Sequence, residues 1–131
     1  MSRPFPLGNP ANPDWFTGEV HQASLEEPTE LQAAHVTFAA GARTNWHTHQ
    51  VGQLIVVVDG EGIYQEEGQP ARRIRTGDTA WAGPGVNHWH GAVAGAAMTH
   101  VVANLKDEEG SFVDWGRPVT EAEYEQANAQ I

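Results

Sequence analysis

The chain contains no cysteine, which excludes a disulfide framework, a thiolate metal site and a cysteine nucleophile, and leaves the redox compartment open. Long apolar runs are missing as well. The opening residues Met1-Ser2-Arg3-Pro4-Phe5-Pro6-Leu7-Gly8 hold no stretch of signal-peptide length, and no later segment approaches a membrane span. A soluble cytoplasmic protein with no membrane partner is therefore expected. Basic residues are scarce, seven against seventeen acidic ones, for a formal net charge of −10. Such a charge repels phosphate backbones and anionic membrane surfaces, so nucleic acid is not an expected partner. Repeats, low-complexity tracts and linkers are absent.

What is present suits one domain of 131 residues and 14.2 kDa. A domain of that size removes roughly two-thirds of its unfolded surface from water. It needs no metal merely to fold, so a metal it holds is there for chemistry. Residues 1–15, which carry four of the eight prolines, read as an extended arm without regular structure. Residues 16–131 read as an all-β domain, because short stretches rich in Val, Ile, Thr and aromatic residues alternate with Gly, Pro and Asp clusters. Ala34-His35-Val36-Thr37-Phe38 alternates and stops at Gly41. Leu54-Ile55-Val56-Val57-Val58 is continuously apolar and ends at Asp59-Gly60, a pair expected to form a tight hairpin into Gly62-Ile63-Tyr64-Gln65. Arg72-Arg73-Ile74-Arg75, Thr79-Ala80-Trp81, His88-Trp89-His90 and Met98-Thr99-His100-Val101-Val102 supply further strands. Only the end looks helical, where Thr120 and Glu123 form a capping box ahead of Ala122-Glu123-Tyr124-Glu125.

The placement of the seven histidines is the informative feature. His47 and His49 are two apart, so on a strand both leave the same face and their ring nitrogens can converge on one ion. From spacing alone, a pair of surface or hydrogen-bonded histidines is an equal alternative. Gln53 follows a short turn that can bring its amide oxygen to the same point. His88 lies far along the chain, after a glycine-rich turn, and a closed antiparallel barrel can set its strand beside the first. Three neutral imidazoles and one neutral oxygen would leave two of six octahedral positions open to substrate or water.

The segment Gly41-Ala42-Arg43-Thr44-Asn45-Trp46-His47-Thr48-His49-Gln50-Val51-Gly52-Gln53 through Gly60 resembles the first cupin motif, with Gln53 where the family usually has Glu. Gly77-Asp78, Gly85 and His88 resemble the second, with Pro84 one position late and Ala92 in place of the usual asparagine. A further resemblance covers nearly the whole chain. Asp14-Trp15-Phe16-Thr17-Gly18, Val36-Thr37-Phe38, Trp46-His47-Thr48-His49, Gly52-Gln53, His88-Trp89-His90-Gly91, Met98-Thr99-His100 and Val113-Asp114-Trp115 are similar to small single-domain cupins that include bacterial manganese-dependent hydroxynitrile lyases. That resemblance implies a single jelly-roll barrel, a double-stranded β-helix, behind the arm. It also implies one divalent metal per chain on His47, His49, Gln53 and His88. Manganese is the expected ion, with Fe2+, Zn2+ and Ni2+ as alternatives.

His100 is the candidate general base, on a late strand whose cavity face also carries Val102 and Asn104; a core histidine bonded to backbone is its plainer reading. His90 shares a face with His88 and reads either as a pocket residue supporting the ligands or as a structural hydrogen-bonding group. His21 and His35 read as structural. By resemblance, Ala34, Val36 and Asn104 line the substrate pocket. Trp46 and Trp89 each adjoin a metal histidine and so face away from the ion, and most of the five tryptophans read as core or subunit interface. The acidic pairs Glu26-Glu27 and Glu66-Glu67 read as solvated turns. The implied activity is cleavage or synthesis of a small cyanohydrin. Its alternatives are an iron dioxygenase and a non-enzymatic cupin that binds a small molecule. A homodimer or homotetramer is expected.

Overall fold

The structure, a computed structural model, describes residues 3–131. The described strands in chain order are β1 (Asn9–Pro10), β2 (Phe16–Thr17), β3 (Val20–Ser24), β4 (Leu31–Phe38), β5 (Arg43–Thr44), β6 (His47–Thr48), β7 (Gln53–Glu66), β8 (Arg72–Arg75), β9 (Thr79–Ala82), β10 (His88–Ala92), β11 (Met98–Leu105) and β12 (Asp114–Trp115), followed by the helix α1 (Glu121–Gln130). Every pairing is antiparallel. One sheet runs β1-β3-β4-β11-β7-β9 and the other joins β8, β7 and β10 to β5, β6, β2 and β12. The strand β7 belongs to both, and the curled sheet is an all-β jelly-roll barrel.

The Asp59-Gly60 hairpin expected from the sequence does not form. β7 continues through it, pairing with β11 and β9 up to Asp59 and Gly60 and then with β8 and β10 from Glu61 onward. Thr99 lies opposite Asp59 while His100 lies opposite Val57. Val58 is thus the extra residue of a bulge, which sharpens the local twist and lets one strand pass from sheet to sheet. Gly60 has a φ of +81°, and a Cβ there would collide with the Ala97 carbonyl. The same glycine that signals a tight turn also serves a bend where another backbone crosses closely.

The arm is more ordered than expected: Asn9 and Pro10 lie opposite Gln22 and His21 as an edge strand, a position where proline's missing N–H costs no ladder bond. Inside the barrel, Val20, Phe38, Ile55, Val57, Ile74 and Met98 form one apolar cluster. A second, with Trp46, Ile63, Trp89, Val119, Tyr124 and Ala127, lies between the outer side of the β10 sheet and α1. The capping box is present, with Thr120 Oγ1 accepting from Glu123 N at 3.1 Å and Glu123 Oε1 accepting from Thr120 N at 2.9 Å. Arg43 pins the helix to the barrel: it donates to Glu121 Oε1 (2.8 Å) and the Val119 carbonyl (3.2 Å), and its guanidinium lies 4.2 Å from the Tyr124 ring centre.

Candidate metal centre

Antiparallel pairing sets His88 on β10 directly opposite His47 on β6, and the start of β7 delivers Gln53 from the other sheet, where it lies between Asn104 of β11 and Ala82 of β9. His49 follows β6 after one intervening residue. The ring centres of His47 and His88 are 4.2 Å apart, those of His47 and His49 5.0 Å, and those of His49 and His88 5.3 Å. The structure therefore brings together all four residues that the sequence marks. Each is 3 % exposed or less.

Their outer nitrogens are tied to backbone. His47 Nδ1 bonds the Asn45 carbonyl at 2.8 Å, His49 Nδ1 the Phe112 carbonyl at 2.7 Å and His88 Nδ1 the Val86 carbonyl at 3.0 Å. A carbonyl only accepts, so each Nδ1 carries the proton and each Nε2 keeps its lone pair for a metal. Burial lowers all three pKa values: His47 well below the ordinary imidazole range, His49 below it and His88 to about 4. Neighbouring histidines add to the effect at His47 and His88. The cluster is thus neutral at pH 7, the state that ligation requires.

Two details fit a cation. The buried His49 Nε2 has no hydrogen-bond partner. His88 Nε2 lies 3.0 Å from Gln53 Oε1, and a cation bound by both would relieve the approach of these two acceptors. Two ligands at right angles on an ion at about 2.1 Å stand about 3.0 Å apart. His90 also joins the group, since the ligand atoms of His47, His88 and His90 lie within 4.8 Å of one another. His90 Nδ1 is 2.9 Å from His100 Nε2, and its own Nε2 is buried without a partner. Burial pushes His100 down to about 4 and His90 well below the usual range. His90 and His100 therefore form one hydrogen-bonded pair beside the metal cluster.

His47, His49, Gln53, His90 and His100 line a cavity of about 190 Å³, while His88 stands behind its wall; there is room for about six waters and hence for a small ligand only. Ala34, Val36, His90 and His100 line it as expected. Asn104 does not reach the wall: its Nδ2 donates to Gln32 Oε1 at 2.7 Å, and Gln32 lines the cavity in its place. The sequence reading missed Gln22, Gln32, Phe112 and Trp115. The period-two run Gln32-x-Ala34-x-Val36-x-Phe38 already puts Gln32 on the cavity face, whereas the Phe112 carbonyl leaves no mark in a sequence. Trp46 and Trp89 do face away, into the helix cluster. Trp15 and Trp115 instead stack on each other at 5.6 Å and line the cavity, with Trp115 4.7 Å from the His47 ring. His35 stacks on Phe5 (4.5 Å), away from the cavity, and His21 lies 3.7 Å from Glu19. No described helix is long and apolar enough to cross a membrane.

The cupin domain family matches residues 34–103. The chain is similar to an (R)-mandelonitrile lyase from Granulicella tundricola, 44% identical over 114 residues that make up 85% of this chain and 86% of that protein. Among solved structures, a cupin-like protein from Thermotoga maritima superposes with a TM-score of 0.90 at 36% identity, over 96% of this chain and 97% of that one. The DMSP lyase DddQ of Ruegeria pomeroyi shares the fold alone, with a TM-score of 0.65 at 24% identity over 82% of this chain and 55% of that one.

Proposed function

The chain belongs to the cupin family, and from that premise we propose that it is a metal-dependent lyase that cleaves or forms a small cyanohydrin such as mandelonitrile. The observation that carries the reading is the neutral cluster of buried imidazoles and one carboxamide beside a small, largely apolar cavity. The lyase activity named for the relative from Granulicella tundricola supplies the reaction class. His47, His49, Gln53 and His88 would hold the ion, with manganese as the ion expected. When bound, it supplies a Lewis acid that lowers the pKa of a substrate hydroxyl.

The remaining steps belong to side chains of the chain. With His100 Nε2–H donating to His90 Nδ1, His100 keeps a lone pair on Nδ1, a buried atom with no partner. His100 would take the hydroxyl proton as the carbon–carbon bond to the nitrile breaks, the aldehyde carbonyl forms and cyanide departs, and the imidazolium would then return the proton to cyanide to release hydrogen cyanide. In this proposed tautomer His90 would carry its proton on Nε2 and act as a donor, with His49 completing the ligand set; the opposite tautomer would free His90 Nε2 to join His47 and His88. Val36, Phe38, Val102 and Trp115 exclude water and hold the aryl group.

Two copies would pair through the outward face of the β4-β11-β7-β9 sheet. Leu54 and Trp81 stand opposite each other there, 41% and 50% exposed, beside Val56, Val101 and Ala103. Exposed apolar neighbours on one sheet face mark an association surface.

Elemental analysis of the purified protein, followed by turnover of racemic mandelonitrile before and after chelation and manganese return, tests the proposal. One manganese per chain with chelator-sensitive benzaldehyde release is expected, and His100→Ala should keep the metal while turnover falls at least a hundredfold. Stoichiometric iron with no cleavage would make the protein an oxygenase instead. Metal without turnover of any kind would make it a binding module.

A further inference from the structure

Beyond the metal cluster, the cavity has few polar groups. Thr44 Oγ1 is already engaged by the His90 N–H at 3.2 Å. Gln22 also lines the cavity, but among the described residues no hydrogen bond fixes either end of its amide, whereas Gln32 is held at one end and so has a set orientation. Asn104, 4% exposed, lies between Gln53 and Gln32 in register, so three carboxamides form a row across β7, β11 and β4. Asn104 Nδ2 donates to Gln32 Oε1 at 2.7 Å, and among the described residues no hydrogen bond engages Gln32 Nε2.

The direction of that bond follows from burial. Reversing both amides would make Gln32 the donor and strand the Asn104 NH2 in the interior. In the observed arrangement the Asn104 Oδ1 is the one fully buried atom of the two amides without a partner, and a buried carbonyl tolerates that better than a buried N–H. Gln32 therefore presents N–H groups to the cavity. At a strand spacing of about 4.8 Å, its backbone lies about 10 Å across the sheet from that of Gln53. A small aryl compound whose hydroxyl sits at the metal cluster spans that distance.

We propose that Gln32 is a specificity-determining residue, that it selects ligands carrying a hydrogen-bond acceptor at the ring end remote from the metal, and that Asn104 is its positioning residue. The class is a hydroxymethyl or cyanohydrin carbon attached to a heteroaromatic or acceptor-substituted ring. The proposal rests on the lyase reading for the position of the hydroxyl, but it is read by binding and so stands or falls separately from cleavage.

Calorimetric titration of the manganese-loaded protein with benzyl alcohol and with 4-pyridylmethanol tests it, since the two are nearly isosteric and differ by one ring acceptor. The unaltered protein should favour the pyridyl ligand about fivefold, the scale of one neutral hydrogen bond. Gln32→Leu should abolish the preference while retaining one metal per chain. Asn104→Asp, which only accepts, should turn the Gln32 amide over and shift the preference toward 4-hydroxybenzyl alcohol, a change that mere loosening of the barrel does not produce. A pyridyl preference that survives Gln32→Leu would mean that the ring nitrogen binds the metal, and would overturn the proposal. Equal affinities in the unaltered protein would do the same. A preference without mandelonitrile cleavage would leave it standing and remove the lyase reading.

Discussion

His49 is held by one hydrogen bond, from Nδ1 to the Phe112 carbonyl, with Nε2 left bare in the interior. A side chain so oriented loses most of its purpose if no ion occupies the site. Replacement by Ala should remove most of the bound manganese while far-ultraviolet circular dichroism stays unchanged; full retention of the metal would transfer the ligand role to His90. Five buried histidines, His47, His49, His88, His90 and His100, have lowered pKa values in the folded state. Below the ordinary imidazole pKa near 6.5 the unfolded chain binds protons that the native chain refuses, so native stability is fully present above that pH and is lost as pH falls toward about 4. Denaturant titrations of the metal-free protein at pH 7.5, 6 and 5 should show a steadily falling midpoint. A flat profile would mean that these rings titrate normally. At this scale the grouping of His47, His49, Gln53 and His88 was legible because their spacing matched a known motif. Gln32 was legible in principle from its alternation with Ala34 and Val36. Phe112 was not, because what it contributes is a backbone carbonyl that any residue would supply.

Elements differ in how openly the sequence states them. β4, β8, β10 and β11 follow from alternation or from their turn boundaries, and α1 from its capping box. β7 does not, because Asp59-Gly60 satisfies the rule for a hairpin and only the long-range crossing of Ala97 and Met98 makes it a bend. The docking of α1 is equally invisible, since it depends on Arg43, 78 residues before its partner Glu121. Arg43 is buried while the Glu121 side chain is 75% exposed, so the two ends of the ion pair should have unequal effects. Glu121→Gln should cost under about 1 kcal/mol. Arg43→Met should cost about 2–3 kcal/mol, because the Gly41 and Val119 carbonyls lose their charged donor and Tyr124 loses its stacked cation. Urea midpoints at constant slope measure both.

For the whole molecule, a net charge of −10 disfavours close approach of two copies except where a surface carries little charge. The outward positions Leu54, Val56, Thr79, Trp81, Val101 and Ala103 are all uncharged, and apolar residues without charge are what the centre of an interface is made of. Trp81→Glu should therefore yield a monomer in light scattering at micromolar concentration, with the metal retained. An unchanged assembly would place the contact elsewhere.

β7 is opposite β8, β9, β10 and β11 in turn, and the Thr37–Thr99 contact between β4 and β11 spans 62 residues. Pairings this remote in the chain slow folding to the milliseconds-to-seconds range. His47, Gln53 and His88 come together only when β6, β7 and β10 are in register, so the ion meets a complete set of ligands late, after the rate-limiting closure. Stabilisation that arrives after the transition state acts on the reverse step. Manganese should leave the refolding rate as it is and prolong the lifetime of the native barrel, a timer on unfolding rather than a template for folding.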